Sequence, residues 1–95
     1  MADPELVKNE AEQRYEIHLD GKRIGFIDYV RDTDVVALPH TEVDKEYGGK
    51  GYAQKLADFA LADIRDTGLL VRPACSFIRK HIERNPAYGT LVAAD

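Results

Sequence analysis

Three glycines and a lysine fall within seven residues, Tyr47-Gly48-Gly49-Lys50-Gly51-Tyr52-Ala53, directly ahead of the clearest helical pattern in the chain. Glycine in that place admits turns with φ > 0 and lets a ligand approach bare amides. Free N–H groups and the positive end of a helix dipole then favour an anion, above all a phosphate or pyrophosphate. A flexible strand-to-helix connection would read the same way. Two phosphate motifs are excluded. A P-loop requires Lys-Ser/Thr at its end, and Lys50 is followed by Gly51. The dinucleotide fingerprint requires Gly or Ala where Gln54 stands, and a larger sheet than this chain can build.

Cys75 is the second candidate. It falls between a short apolar strand and a helix N-terminus, where the dipole favours thiolate, and Arg72 and Arg79 are near in sequence. The alternatives are a reactive thiol and a small buried apolar residue. His40 and Glu42 alternate onto one face of a strand, so either is placed to serve as a general base, or simply to be solvated. His18 and His81 stand isolated, and no His/Cys/carboxylate spacing suits a metal. Lys50, Lys55, Arg79, Lys80 and Arg84 read as mostly solvated charges, one or two of them available to an anionic ligand.

These groups need a scaffold. Arg14 to Leu19 alternates, with Tyr15, Ile17 and Leu19 on one side, and predicts a half-buried strand. Asp20-Gly21 is a two-residue hairpin signal. The return strand runs from Lys22 to about Arg31, with Ile24, Phe26 and Asp28 alternating against Gly25, Ile27 and Tyr29. Val35-Val36-Ala37-Leu38 is apolar on both faces, as expected of a central strand running on to Val43. Pro39 cannot donate to a ladder and predicts a bulge or break. Ala53, Leu56, Ala57, Ala60, Leu61 and Ile64 form one helical stripe, closed by Gly68. Leu69-Leu70-Val71 reads as a buried strand, and Ser76 as the N-cap of a last helix from Phe77 to Arg84. Residues 1–13 are polar and acidic and are expected to form a loose tail.

The chain has 95 residues, 44% apolar and 32% charged, the composition of one globular domain. Its net charge of −4 argues against a nucleic-acid partner. The average hides an asymmetry: residues 1–47 carry 6 basic and 12 acidic side chains, residues 48–95 carry 7 and 5. A small anion would therefore find its site in the second half. No apolar run is long enough to span a membrane, the acidic N-terminus carries no secretory pattern, and one cysteine cannot make an internal disulfide. A cytoplasmic protein is expected.

The strand–loop–helix unit resembles motif A of the Gcn5-related N-acetyltransferases, whose phosphate loop reads Gln/Arg-x-x-Gly-x-Gly/Ala. In Gly48-Gly49-Lys50-Gly51-Tyr52-Ala53 the matches are Gly51 and Ala53. Gly48 departs from the usual Gln or Arg, so only its backbone amide can serve. His40-Thr41-Glu42-Val43, Pro73-Ala74-Cys75-Ser76-Phe77 and Asn85-Pro86-Ala87-Tyr88 follow in the order and spacing of a small single-domain subfamily, from about Tyr15 to Leu91.

The resemblance implies an α/β (α+β) fold: antiparallel strands, then strand–phosphate loop–helix–strand–helix, with residues 14–95 as the single domain. It implies acetyl-CoA as the bound cofactor and no metal. The pantetheine would lie along the strand carrying Thr41 and Val43, and the pyrophosphate would sit on Gly48, Gly49, Lys50, Gly51, Tyr52 and Ala53. It implies N-acetyl transfer to an amine acceptor, a protein lysine or a small amine, entering from the face opposite the cofactor. Cys75 would stand at the thioester, His40 or Glu42 would act as base, and Tyr88 would either cover the edge of the thin core or protonate the leaving thiolate. The other reading is a non-catalytic acyl-CoA-binding module that regulates a partner.

Overall fold

Four strands form an antiparallel meander: β1 (Glu5–Asn9), β2 (Arg14–Leu19), β3 (Lys22–Asp32) and β4 (Val35–Val43). The computed structural model describes residues 3–94. After a single 3₁₀ turn at Lys45–Tyr47 come α1 (Tyr52–Asp66), β5 (Leu70–Arg72) and α2 (Ser76–Arg84), and a 3₁₀ segment at Pro86–Leu91 follows. The crossover through α1 lays β5 parallel to β4, which gives a five-stranded mixed sheet in sequence order. This is the α/β topology expected from the sequence.

Local chemistry explains each joint. Asp20 and Gly21 both take positive φ, 51° and 78°, the backbone of a two-residue turn that matches strand twist. The one-residue offset between β3 and β4 lies where Leu38 and Pro39 face Tyr29, so the bulge falls at the proline. Helix α1 ends at Thr67 and Gly68, with the Leu69 N–H donating to the Ile64 carbonyl at 3.1 Å.

One face of the sheet is covered. Tyr15, Ile17, Ile27, Val36, Leu38 and Val71 pack against Leu56, Ala57, Ala60, Leu61 and Ile64 of α1 and Ile78 and Ile82 of α2. Among the described residues the other face carries no helix. Its side chains include Phe26, Val30, Leu70, His40 and Glu42, which are half-buried or exposed.

Three expectations need correction. Residues 5–9, assigned to a loose tail, form β1 and pair with β2 from Glu5↔His18 to Asn9↔Arg14, while residues 1–2 of that segment lie outside the described residues. Leu6 packs on the core edge, and Lys8 turns inward to set its ammonium 2.9 Å from Asp63. A charged residue at an inward position hides the strand period. Ile24 was aligned with Phe26, but it is fully buried, as is Ile27. A register shift at Ile17/His18 places one extra residue in β3 and turns Ile24 inward. In β5 only Val71 is fully buried. Leu70 is 38% exposed because it lies on the uncovered face.

Candidate anion cradle and thiol site

Gly51 takes φ +84° and opens α1, so the helix begins from a left-handed residue. A residue with a Cβ resists that conformation. The first helical bond runs from the Lys55 N–H to the Gly51 carbonyl at 3.1 Å. No side chain caps the amides before it, and the first turn carries no carboxylate. The N–H groups of Tyr52, Ala53 and Gln54 therefore face outward unpaired, at the positive end of a fifteen-residue helix. A Cβ placed on Gly49 or Gly51 would meet nothing within 4 Å, so the space over these amides is open. Val43, Tyr47, Gly48, Gly49, Gly51, Tyr52, Ala53 and Gln54 line a cavity of about 230 Å³ there. Lys50 is not among its walls. Its ammonium sits 5.9 Å from the centre of the Tyr47 ring.

Strand β4 runs from this cavity toward Cys75. Strand β5 pairs with it only from Val35 to Ala37, and the Cys75 N–H then donates to the Leu38 carbonyl at 3.1 Å. Beyond that point, from Pro39 to Val43, this edge of β4 has no strand beside it among the described residues. Thr41 and Val43 turn toward the helices, and His40 and Glu42 toward the uncovered face.

Cys75 caps α2 with extended backbone (φ −92°, ψ 134°). Its sulfur lies 3.7 Å from the Thr41 hydroxyl. Burial pushes the thiol up. The N–H groups of Ile78 and Phe77 and the Thr41 hydroxyl outweigh it, and the thiol titrates below its ordinary value. Those two N–H groups point at the sulfur without closing a cap hydrogen bond. Their dipoles favour thiolate all the same. Arg79 does not assist, because its guanidinium donates to the carbonyls of Pro73 and Ala74 at 3.2 and 3.1 Å.

His40 and Glu42 do meet, with Nε2 to Oε2 at 3.3 Å, and both are more than half exposed. The strand alternation that pairs them also turns them away from Cys75. A second cavity of about 450 Å³ lies on their side, walled by Arg23, Gly25, Phe26, Glu42, Val43, Asp44 and Lys45. Val43, at the end of β4, lines both cavities.

The histidines expected to be isolated are not. His18 Nε2 lies 2.8 Å from Glu16, a carboxylate that is itself buried. His81, 7% exposed, lies 2.7 Å from Asp58 of α1. The Tyr88 hydroxyl donates to the same Asp58 oxygen at 2.8 Å, and burial together with that bond holds its proton more tightly than in an ordinary tyrosine. Tyr88 is thus engaged on α1 rather than on Cys75. Nothing in sequence pairs residue 58 with residues 81 and 88. Only the packing of α2 on α1 does. Among the described residues no group of three His, Cys, Asp or Glu side chains is placed to hold a metal, and no helix is long and apolar enough to cross a membrane.

Comparison with known proteins agrees with this fold. The sequence pattern of the GCN5-related N-acetyl-transferase family matches residues 14–91. Protein NATD1 from Gallus gallus is 38% identical over 52 residues, 55% of this chain and 47% of that protein. The Homo sapiens protein of the same name is also 38% identical, over 46% of its length. The aligned stretch thus spans about half of these relatives. A GCN5-like protein from Staphylococcus aureus, solved by NMR, superposes over 100% of this chain and 93% of its own, with a TM-score of 0.75 and 24% identity. The ribosomal-protein-S18-alanine N-acetyltransferase of Escherichia coli superposes over 78% of this chain and 52% of its own, with a TM-score of 0.65 and 17% identity.

Proposed function

Because the chain belongs to the GCN5-related N-acetyltransferase family, we propose that it binds acetyl-CoA and transfers the acetyl group to an amine. The observation that carries the reading is the open amide cradle from Gly49 to Gln54, continuous with the unpaired edge of β4. Pyrophosphate matches the cradle in charge and donors. The amide-bearing pantetheine matches a strand edge that has free backbone groups, in the manner of an added strand. Laid that way, it brings the thioester toward Thr41 and Cys75.

The cofactor supplies an acetyl group already activated as a thioester. The chain's residues hold and expose it. The amine enters from the uncovered face, where the cavity beside Glu42 shares the Val43 wall with the donor cavity. Its nitrogen attacks the carbonyl carbon, the C–N bond forms, and the C–S bond breaks to release the CoA thiolate. Glu42 or His40, on the acceptor side, takes the proton the nitrogen loses. Thr41 and Cys75 orient the sulfur end.

One observation favours a second route. The Cys75 sulfur, 3.7 Å from Thr41 at the first amides of α2, can attack the thioester carbonyl itself, release the CoA thiolate and pass the acetyl group on to the amine. Incubation with acetyl-CoA and no amine separates the two routes. A single acetyl added to the protein, removable by hydroxylamine, means an acetyl-enzyme, and no adduct means direct attack. Release of CoA thiol across a panel of lysine peptides and small amines tests turnover itself. Tight binding without turnover on any amine would leave the regulatory module standing.

A further inference from the structure

The cavity of about 450 Å³ on the acceptor side carries both signs of charge in its wall, and the β3–β4 ladder sorts them. Glu42 stands opposite Phe26 on that ladder. The Asp44 N–H donates to the Ile24 carbonyl at 2.8 Å, which carries the pairing one rung past Gly25↔Val43 and brings Arg23 and Lys45 to its open end. Three rungs, about 10 Å of strand, separate Glu42 from that basic end. The carboxylates of the wall already have basic partners: His40 lies 3.3 Å from Glu42, and Lys22 lies 3.9 Å from Asp44. The cations are less engaged. Lys45 is exposed and forms no ion pair or side-chain hydrogen bond among the described residues. Arg23 has only a 3.8 Å approach to Glu16, and its guanidinium lies 5.2 Å from the centre of the Phe26 ring.

We propose that the acceptor is a zwitterionic amine, with its reacting nitrogen at Glu42 and a carboxylate several bonds away paired by Arg23 and Lys45. The inference rests on the amine-transfer reading above and names the class of substrate for that site. A carboxylate accepts two parallel N–H bonds from a guanidinium, and an ammonium adds a point charge beside it. The half-buried Phe26 ring offers apolar area to the methylenes that join the amine to the carboxylate. Spacing decides the kind of zwitterion. An α-amino acid carries its two charges on neighbouring carbons and reaches one end of the cavity. An ω-amino acid, or lysine reacting through its side-chain nitrogen, reaches both. A diamine would set a second ammonium against Arg23 and Lys45, a like-charge contact that selects against it.

The test measures release of CoA thiol from acetyl-CoA with 6-aminohexanoate, 1-aminopentane and 1,5-diaminopentane. These share one amine chain and differ in what the far end carries: a carboxylate, nothing, or a second ammonium. For the wild type kcat/KM should fall in that order, by about tenfold at the first step, the scale of two exposed ion pairs. The difference should lie in KM, because a remote carboxylate is held alike before and during the reaction. Added salt should shrink it. Arg23→Gln/Lys45→Gln should bring the three amines within about twofold of one another. Lys45→Gln alters a single exposed side chain and should by itself cut the carboxylate preference to about threefold. Equal kcat/KM across the three amines, a preference for the diamine, or a carboxylate preference undiminished in both variants would overturn the assignment while leaving acetyl transfer intact. Turnover of none of the three by a chain that binds acetyl-CoA would overturn the transfer reading and the assignment with it.

Discussion

The Cys75 sulfur lies 3.7 Å from the Thr41 hydroxyl across a sequence gap of 34 residues, tying the start of α2 to the unpaired edge of β4. In the proposed site that contact sets the reactive end, and Gly51 the phosphate end. A thiol eased toward thiolate by Thr41 and the first amides of α2 should alkylate with an apparent pKa below that of a cysteine in the unfolded chain. The rate of iodoacetamide modification against pH measures this. Thr41→Val should move the midpoint upward, because one of the groups that favours thiolate is gone. Saturating acetyl-CoA should slow modification at every pH. A rate indifferent to acetyl-CoA would remove Cys75 from the site.

Gly51→Val should abolish acetyl-CoA binding. At φ +84° a β-branched residue is strained by about 1–2 kcal/mol, and its methyls would stand over the open amides of the cradle. Calorimetry measures the loss, with thermal unfolding alongside to confirm that the chain remains folded. Wild-type affinity in Gly51→Val would dismiss the loop as a phosphate site.

Glu42→Gln and His40→Ala should separate binding from turnover. Both side chains face the uncovered side of β4, away from Thr41 and Cys75. Acetyl-CoA affinity should stay within about twofold in each, while kcat falls about a hundredfold in the variant that loses the base, the scale of a general-base contribution. Binding and steady-state kinetics on the same preparations decide it. A fall in donor affinity with kcat unchanged would place these residues on the wrong side of the reaction.

Glu16 should make the fold acid-sensitive. Burial pushes its carboxyl up, but hydrogen bonds from His18 and Asn9 and the nearby Arg23 outweigh it and hold the group below the usual carboxylate range. A carboxyl depressed in the folded state stabilises at pH above its unfolded value, about 4.3, and that contribution fades as pH falls through the folded value. Urea unfolding at pH 7 should therefore find wild type more stable than Glu16→Gln by about 1 kcal/mol, and the gap should narrow as pH falls below the unfolded carboxyl value. A gap independent of pH would mean that only packing is involved.

What the sequence reveals here is what short range controls. The Asp20-Gly21 turn, the Pro39 bulge and the glycine loop ahead of an apolar stripe each rest on a few consecutive residues whose backbone preferences are strong, and each is found where it is expected. The hidden features all depend on contacts between distant segments. Strand β1 escapes notice because Lys8 points inward to Asp63, which spoils an alternation only five residues long. Ile24 reverses face because β3 bulges against β2. The Asp58–His81–Tyr88 network exists only once α2 lies on α1. For the same reason the sequence could align His40 and Glu42 with each other but could not show that Cys75 lies on the opposite side of β4.

The central claim is that acetyl-CoA lies along the β4 edge with its pyrophosphate on the α1 amides. An NMR titration with acetyl-CoA, following every backbone amide, tests it most directly. The account predicts saturable shifts concentrated between Val43 and Gln54 and around Cys75 to Ile78, with the β1–β2 hairpin unmoved. Shifts confined to other regions, or no saturable shift at millimolar acetyl-CoA, would contradict it.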